Sequence, residues 1–168
     1  MSELSNYSID LKAISPDTEA YEWTLDDAFF ASLDQELISG GRVNVTLRVK
    51  KTSGAFKLQF QVDGEVTVPC DRCLDPMQQP IHGADELDVT LGETFSDDGE
   101  IITVPEAEGV IDLAWNIYEI VALLIPTSHV HPEGQCNTDM AQRLEQYTGA
   151  AQTDPRWDAL KALQGNNK

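Results

Sequence analysis

The chain predicts an α+β fold: a twisted antiparallel sheet or partly open barrel, with a buried helix and a short helical C-terminal tail. Three observations carry this. Two runs on either side of Ser53-Gly54 alternate strictly between apolar and polar residues. The segment from Ile111 to Ile125 is the most apolar in the chain and ends at Pro126. Beyond it lie two short segments with helix start signals. Alternation with period two is the mark of a half-buried strand, and a longer apolar run closed by proline is the mark of a buried helix.

Taken in order, Tyr7-Ser8-Ile9-Asp10-Leu11 alternates and predicts a first strand, and Tyr21 to Leu25 predicts a second. Asp26 or Asp27 is placed to cap a brief helix through Ala28, Phe29, Phe30 and Leu33. Gly40-Gly41 reads as a chain break. Val43, Val45, Leu47 and Val49 then alternate with polar residues, as do Phe56, Leu58, Phe60 and Val62. Ser53-Gly54 connects them as a hairpin. Asp63-Gly64 is a two-residue turn signal leading into a third strand, Glu65 to Val68. Together they predict an antiparallel meander with one wet face.

Leu87, Val89 and Leu91 predict another strand, Asp97 to Glu100 an exposed acidic turn, and Ile101 to Val104 a strand ended by Pro105. Within the apolar helix, Asn116 and Glu119 have the spacing of a loose capping box. Asp139 to Tyr147 and Asp154 to Leu163 predict the closing helices, the latter with Asp154 as cap and Pro155 at its first position. The expected organisation is one α+β domain over 1–136 and a helical extension over 137–168.

The chain has 168 residues, 41% of them hydrophobic, enough for one core. Eleven basic against 29 acidic residues give a net charge of −18, which disfavours nonspecific binding to nucleic acid or anionic membrane. The acid is unevenly spread. The 70 residues from Cys73 to Gln142 hold no Lys or Arg and 14 acids, whereas Arg42 to Lys57 holds five basic residues and no acid. No apolar run reaches the ~20 residues of a membrane span, and Met1 to Lys12 lacks signal-peptide features, so a cytoplasmic protein is expected.

Three cysteines are too few for a disulfide scaffold. Cys70-Asp71-Arg72-Cys73 is a C-x-x-C, whose spacing lets both thiolates face one ion. His129-Val130-His131-Pro132-Glu133-Gly134-Gln135-Cys136 collects the third cysteine and two histidines in one loop. Cys70, Cys73, Cys136 and one histidine would complete a structural Cys₃His zinc set. Plain core thiols and a redox pair are the alternatives. The redox reading conflicts with the hairpin before Cys70 and with Pro76 after Cys73, since redox C-x-x-C pairs open a helix in a βαβ context. His82 is isolated and reads as a surface residue.

Val68-Pro69-Cys70-Asp71-Arg72-Cys73-Leu74-Asp75-Pro76 resembles the C-x-R-C-L block of the YceD family, the large ribosomal RNA subunit accumulation proteins. A second block agrees: Ile111-Asp112-Leu113, an apolar helix with Glu119, Leu124-Ile125-Pro126, then His131 and Cys136. Asp154-Pro155-Arg156-Trp157 with Leu160 and Leu163 is similar to the family's closing segment. The resemblance implies a non-enzymatic role in large-subunit rRNA accumulation and ribosome assembly. Many family members carry a further cysteine pair after the position of Cys136. Asn137 to Gln142 offers none, which makes His131, at the matching family position, the expected fourth ligand alongside Cys70, Cys73 and Cys136.

No phosphate-binding glycine loop, dinucleotide fingerprint or nucleophile elbow occurs, and no carboxylate pair marks an acid/base dyad, so no enzyme and no small-molecule substrate are expected. Glu119 reads as the wet side of its helix. Arg48, Lys50 and Lys57 lie outward on the hairpin and form the candidate partner-binding surface, although lysines on a wet strand also serve to deter edge pairing. The expected partner is a ribosomal protein or precursor ribosomal RNA, with structural zinc as the cofactor. The alternative is a zinc-stabilised metal-handling or sensing module without ribosomal contact.

Overall fold

The computed structural model describes residues 6–15, 18–99 and 101–148. Its strands are β1 (Ser8–Asp10), β2 (Glu19–Leu25), β3 (Gly40–Lys51), β4 (Ala55–Pro69), β5 (Pro76–Gly92), β6 (Ser96–Asp97), β7 (Ile101–Pro105) and β8 (Val110–Asp112). The helices are α1 (Asp27–Ser32), α2 (Ala114–Leu123) and α3 (Thr138–Thr148). Six strands form one open sheet in the order β2-β3-β4-β5-β7-β6, and β1 pairs with β8 in a separate two-stranded sheet. The architecture is α+β, and the large sheet does not close into a barrel. It is mixed rather than purely antiparallel, because β7 lies parallel to β5, Asp88 opposite Ile101 through Gly92 opposite Pro105.

The alternating residues do what their period demands. Val43, Val45, Leu47 and Val49 from β3 and Phe56, Leu58, Phe60 and Val62 from β4 are buried. They join a single core cluster with Phe29 and Phe30 of α1 and with Ile117, Ile120 and Val121 of α2. Asp26 caps α1, its carboxylate accepting from the N–H groups of Ala28 and Phe29 at 3.1 and 3.2 Å. Asp27 instead accepts from the Gly41 N–H at 2.8 Å and ties the helix to β3.

Two glycine expectations fail for one reason. Gly40-Gly41 does not break the chain but opens β3, and Asp63-Gly64 is not a turn but the interior of β4. Gly41 pairs with Val66, and Gly64 pairs with Val43. A Cβ on Gly41 would come within 2.5 Å of the Glu65 carbonyl oxygen, and one on Gly64 would collide with Arg42 and Val43 backbone. The glycines permit a close approach of two long strands. A ladder with neighbours on both sides of β4 overrides the local turn preference of Asp-Gly. His82 is a surface residue, as expected, and across that ladder its Nδ1 lies 2.9 Å from Asp63 Oδ2.

The apolar run also divides. Val110–Asp112 is strand β8, and the helix starts only at Ala114. Asn116 and Glu119 make no capping box. No side chain of the N-cap residue Leu113 caps α2, and Asp112 Oδ1 accepts from the Ala114 N–H at 2.9 Å instead. One side of α2 is core, while Trp115, Glu119 and Leu123 are exposed, so Glu119 does mark the wet side. At the helix end Leu124 packs against Gly83 of β5, where a Cβ would collide with its methyl groups. The following loop reaches the end of the β4–β5 hairpin, where the Asp71 N–H donates to the His129 carbonyl. The predicted helix over 139–147 is α3, capped by Asn137, whose Oδ1 accepts from the Asp139 N–H at 3.0 Å. The segment from Asp154 to Leu163 lies outside the described residues.

Candidate metal centre

The C-x-x-C occupies the loop joining β4 to β5, and the pairing of Pro69 with Pro76 closes the ladder on which this loop sits. Proline lacks an N–H and stops ladder bonding, so strands end where these residues stand. Within the loop the Cys70 N–H donates to the Asp75 carbonyl and the Leu74 N–H to the Cys70 carbonyl, both at 2.9 Å. Leu74 adopts a left-handed φ of 65° to make the turn. The second segment is the stretch after α2, where Pro126 prevents further helix and leaves His129 to Cys136 as loop.

The two segments meet. Cys70 and Cys73 are buried, and Cys136 is partly so. The sulfurs of Cys70, Cys73 and Cys136 and a ring nitrogen of His131 all lie within 4.8 Å of one another. Cys73 Sγ is 3.3 Å from His131 Nδ1, Cys136 Sγ is 4.0 Å from the same nitrogen, and Cys70 Sγ is 4.0 Å from Cys136 Sγ. Tetrahedral bonds of about 2.3 Å to sulfur and 2.0 Å to nitrogen would set ligand atoms roughly 3.5–3.8 Å apart. The four donors therefore have the type, number and spacing to hold a metal ion.

The surroundings orient the donors. His131 Nε2 lies 3.3 Å from the Pro76 carbonyl oxygen, which can only accept. Nε2 therefore carries the proton, and in the neutral ring the Nδ1 lone pair faces the sulfurs, the arrangement a histidine ligand needs. Cys70 Sγ accepts from the N–H groups of Arg72 and His131, each at 3.4 Å. Burial opposes ionisation of Cys70, but the backbone donors of Cys73, His131 and Arg72 outweigh it and bring the thiol down to about 6. Cys136 moves up, through burial and the neighbouring Cys73 and Cys70 sulfurs. Burial disfavours charge on His131, yet its bonds to the Cys70 and Cys73 sulfurs prevail and raise it. Three sulfurs and a positioned imidazole gathered this closely form a donor set that could hold a cation.

His129 stands outside this grouping. It clamps the loop from behind: its N–H donates to Asp71 Oδ2 at 2.8 Å, and its carbonyl accepts from the Asp71 N–H at 3.0 Å. Its Nδ1 donates to the Pro126 carbonyl at 3.0 Å. Asp71 is the positioning residue that sequence reasoning missed, and its place inside the C-x-x-C was the available signal.

The basic surface is less basic than its sequence. Arg48 and Lys50 are exposed on β3, and Lys57 faces Lys50 directly across the ladder. But β5 supplies acids to the same face. Lys57 Nζ lies 3.0 Å from Glu86 and 3.2 Å from Asp88, and these bonds raise its pKa. Gln59 donates to Glu86 at 2.7 Å. The structure thus brings Lys50 and Lys57 together but neutralises Lys57, because the acidic strand β5 is the neighbour of β4.

Neither the curated proteins nor the solved structures yield a match to this chain. The family model described as Large ribosomal RNA subunit accumulation protein YceD matches residues 58–164, well over half of the chain and both segments of the candidate centre. The chain therefore belongs to the YceD family, whose name implies a role in accumulation of the large-subunit ribosomal RNA.

Proposed function

We propose that this chain is a non-enzymatic cytoplasmic factor that supports large-subunit rRNA accumulation and ribosome assembly by binding a ribosomal component, with Cys70, Cys73, His131 and Cys136 holding a structural zinc ion. The family match over residues 58–164 carries the functional part of this reading. The donor set supports the metal, since three thiolates and one imidazole in a closed four-coordinate site suit zinc and leave no position open for a substrate. Two of the donors are buried and the histidine is held by a second bond, which favours a structural ion over an exchangeable one. Among the described residues no helix is long and apolar enough to cross a membrane. Residues 1–136 would form the domain that the zinc ties together, with 137–168 as its extension.

The test of function is the ratio of large- to small-subunit rRNA in a strain lacking the gene. A fall restored by the parent chain is expected, and an unchanged ratio refutes the reading. The test of the metal is elemental analysis of protein purified without chelator. One zinc per chain is expected, and no bound metal refutes the site.

A further inference from the structure

A second feature lies among elements that the metal site does not use. A groove of about 440 Å³ runs between the β6–β7 edge, β8 and the start of α2. Its floor includes the buried Ile102 and Val104, while Phe95, Val110 and Trp115 line it at 64%, 46% and 46% exposure. Three large apolar side chains around one concavity are not the scattered surface hydrophobics of an ordinary domain. Asp97, Glu108 and Asp112 also line it, and no lining residue is basic. All lining residues fall between 95 and 116, inside the stretch without Lys or Arg. Lys12, which donates to the Ala107 carbonyl, is not among them.

The groove is also flanked by strand edges. Among the described residues, β6 is the last strand of the six-stranded sheet, and β8 is paired on one side only, by β1. Free strand edges accept an added extended segment through main-chain hydrogen bonds, while adjoining pockets take alternate side chains. The acidic lining selects the charge of that segment.

We propose that this groove docks an extended Lys/Arg-bearing protein segment that inserts an apolar side chain beside Phe95 and Trp115. Nucleic acid is disfavoured because its phosphates would face Asp97, Glu108 and Asp112. A second copy of the chain is disfavoured because each copy carries −18. The proposal specifies the kind of ribosomal component bound, and only the ribosomal origin of the segment rests on the functional reading above.

The experiment is fluorescence anisotropy with the full chain and a labelled decapeptide of alternating lysine and valine. Comparison probes are the lysine–serine and glutamate–valine decapeptides and a single-stranded RNA oligonucleotide. The lysine–valine peptide should bind roughly tenfold or more tightly than either peptide control, and more weakly as salt is added. Phe95→Ser should weaken it by roughly tenfold, as should Asp97→Lys combined with Glu108→Lys. Phe95 is largely exposed, so its replacement should leave the melting curve unchanged. Leu123→Ser, on an exposed residue outside the groove, should leave binding unchanged. Absence of binding, equal binding of the lysine–serine peptide, tighter binding of RNA, or insensitivity to Phe95→Ser would each overturn the proposal. None of these outcomes depends on rRNA levels. A gene deletion that lowers large-subunit rRNA while the peptide fails would overturn the groove and leave the functional reading intact.

Discussion

The cysteine end of the molecule and the outer face of the β3–β4 hairpin were both candidate sites, and they differ in how their polar groups are satisfied. On the hairpin face, charge is met locally. Lys57 is answered by Glu86 and Asp88 from the adjacent strand, and Gln59 by the same Glu86. At the cysteine end the partners come from far along the chain. Cys70 and Cys73 meet His131 and Cys136, and Asp71 meets His129. A wet face needs no special chemistry to carry charge, because water and neighbouring side chains screen it. Three sulfurs and an imidazole gathered in one largely buried cluster could instead hold a cation.

The largest effect should come from the cysteines. Cys70→Ser or Cys73→Ser should abolish stoichiometric zinc and lower Tm by roughly 10 °C or more, since structural zinc contributes binding energy comparable to a whole domain's stability. Calorimetry with parallel metal analysis checks this, and a full zinc complement in either variant would make the two regions equivalent.

The histidines sharpen the contrast. His131→Ala should lose metal along with stability. His129→Ala should keep the metal and cost about 1 kcal/mol, because the bonds between its backbone and Asp71 survive and only the side-chain contacts go. Equal loss of metal in the two variants would remove the distinction between ligand and clamp.

In metal-free protein, Cys70 should give a wave of thiolate absorbance centred at about pH 6 that Cys70→Ser removes. Its folded value lies below the unfolded thiol's 9.0, so its contribution to the metal-free fold is full above about pH 9 and is lost as pH falls through about 6. His131, raised in the fold, has the opposite sign. Its contribution is present below 6.5 and is lost as pH rises through the folded value.

The smallest effect belongs to the hairpin face. Lys57→Met should lower Tm only slightly, as the loss of an exposed ion pair does, and leave zinc content unchanged. A drop matching that of the cysteine variants, read by the same melting curves, would show that the outer face bears structural weight.

Period-two alternation was the reliable signal in this chain. It located β3 and β4, and it ran in phase from Phe56 through Val62 to Val66 and Val68. That continuity already pointed to one long strand, against the turn chemistry of Asp63-Gly64. The N-terminal half of β5 was invisible because Gln78, Gln79 and Pro80 show no apolar face, and these residues belong to a strand only because β4 supplies the ladder. β8 was hidden inside the apolar run because Ile111 and Leu113 fit a helix as well as a strand.

The residue types at the candidate centre, a C-x-x-C and a loop carrying His131 and Cys136, were fixed by sequence alone, because donor chemistry resides in side chains wherever they fall. So were the inward faces of the long strands, because alternation is a local property. Tertiary structure alone decided that the two segments share a volume, that Asp71 engages His129, that β5 pairs its acids with Lys57, and that β7 runs parallel to β5. Each depends on which distant elements become neighbours, and that choice is made by burial of the common core rather than by any local stretch of chain.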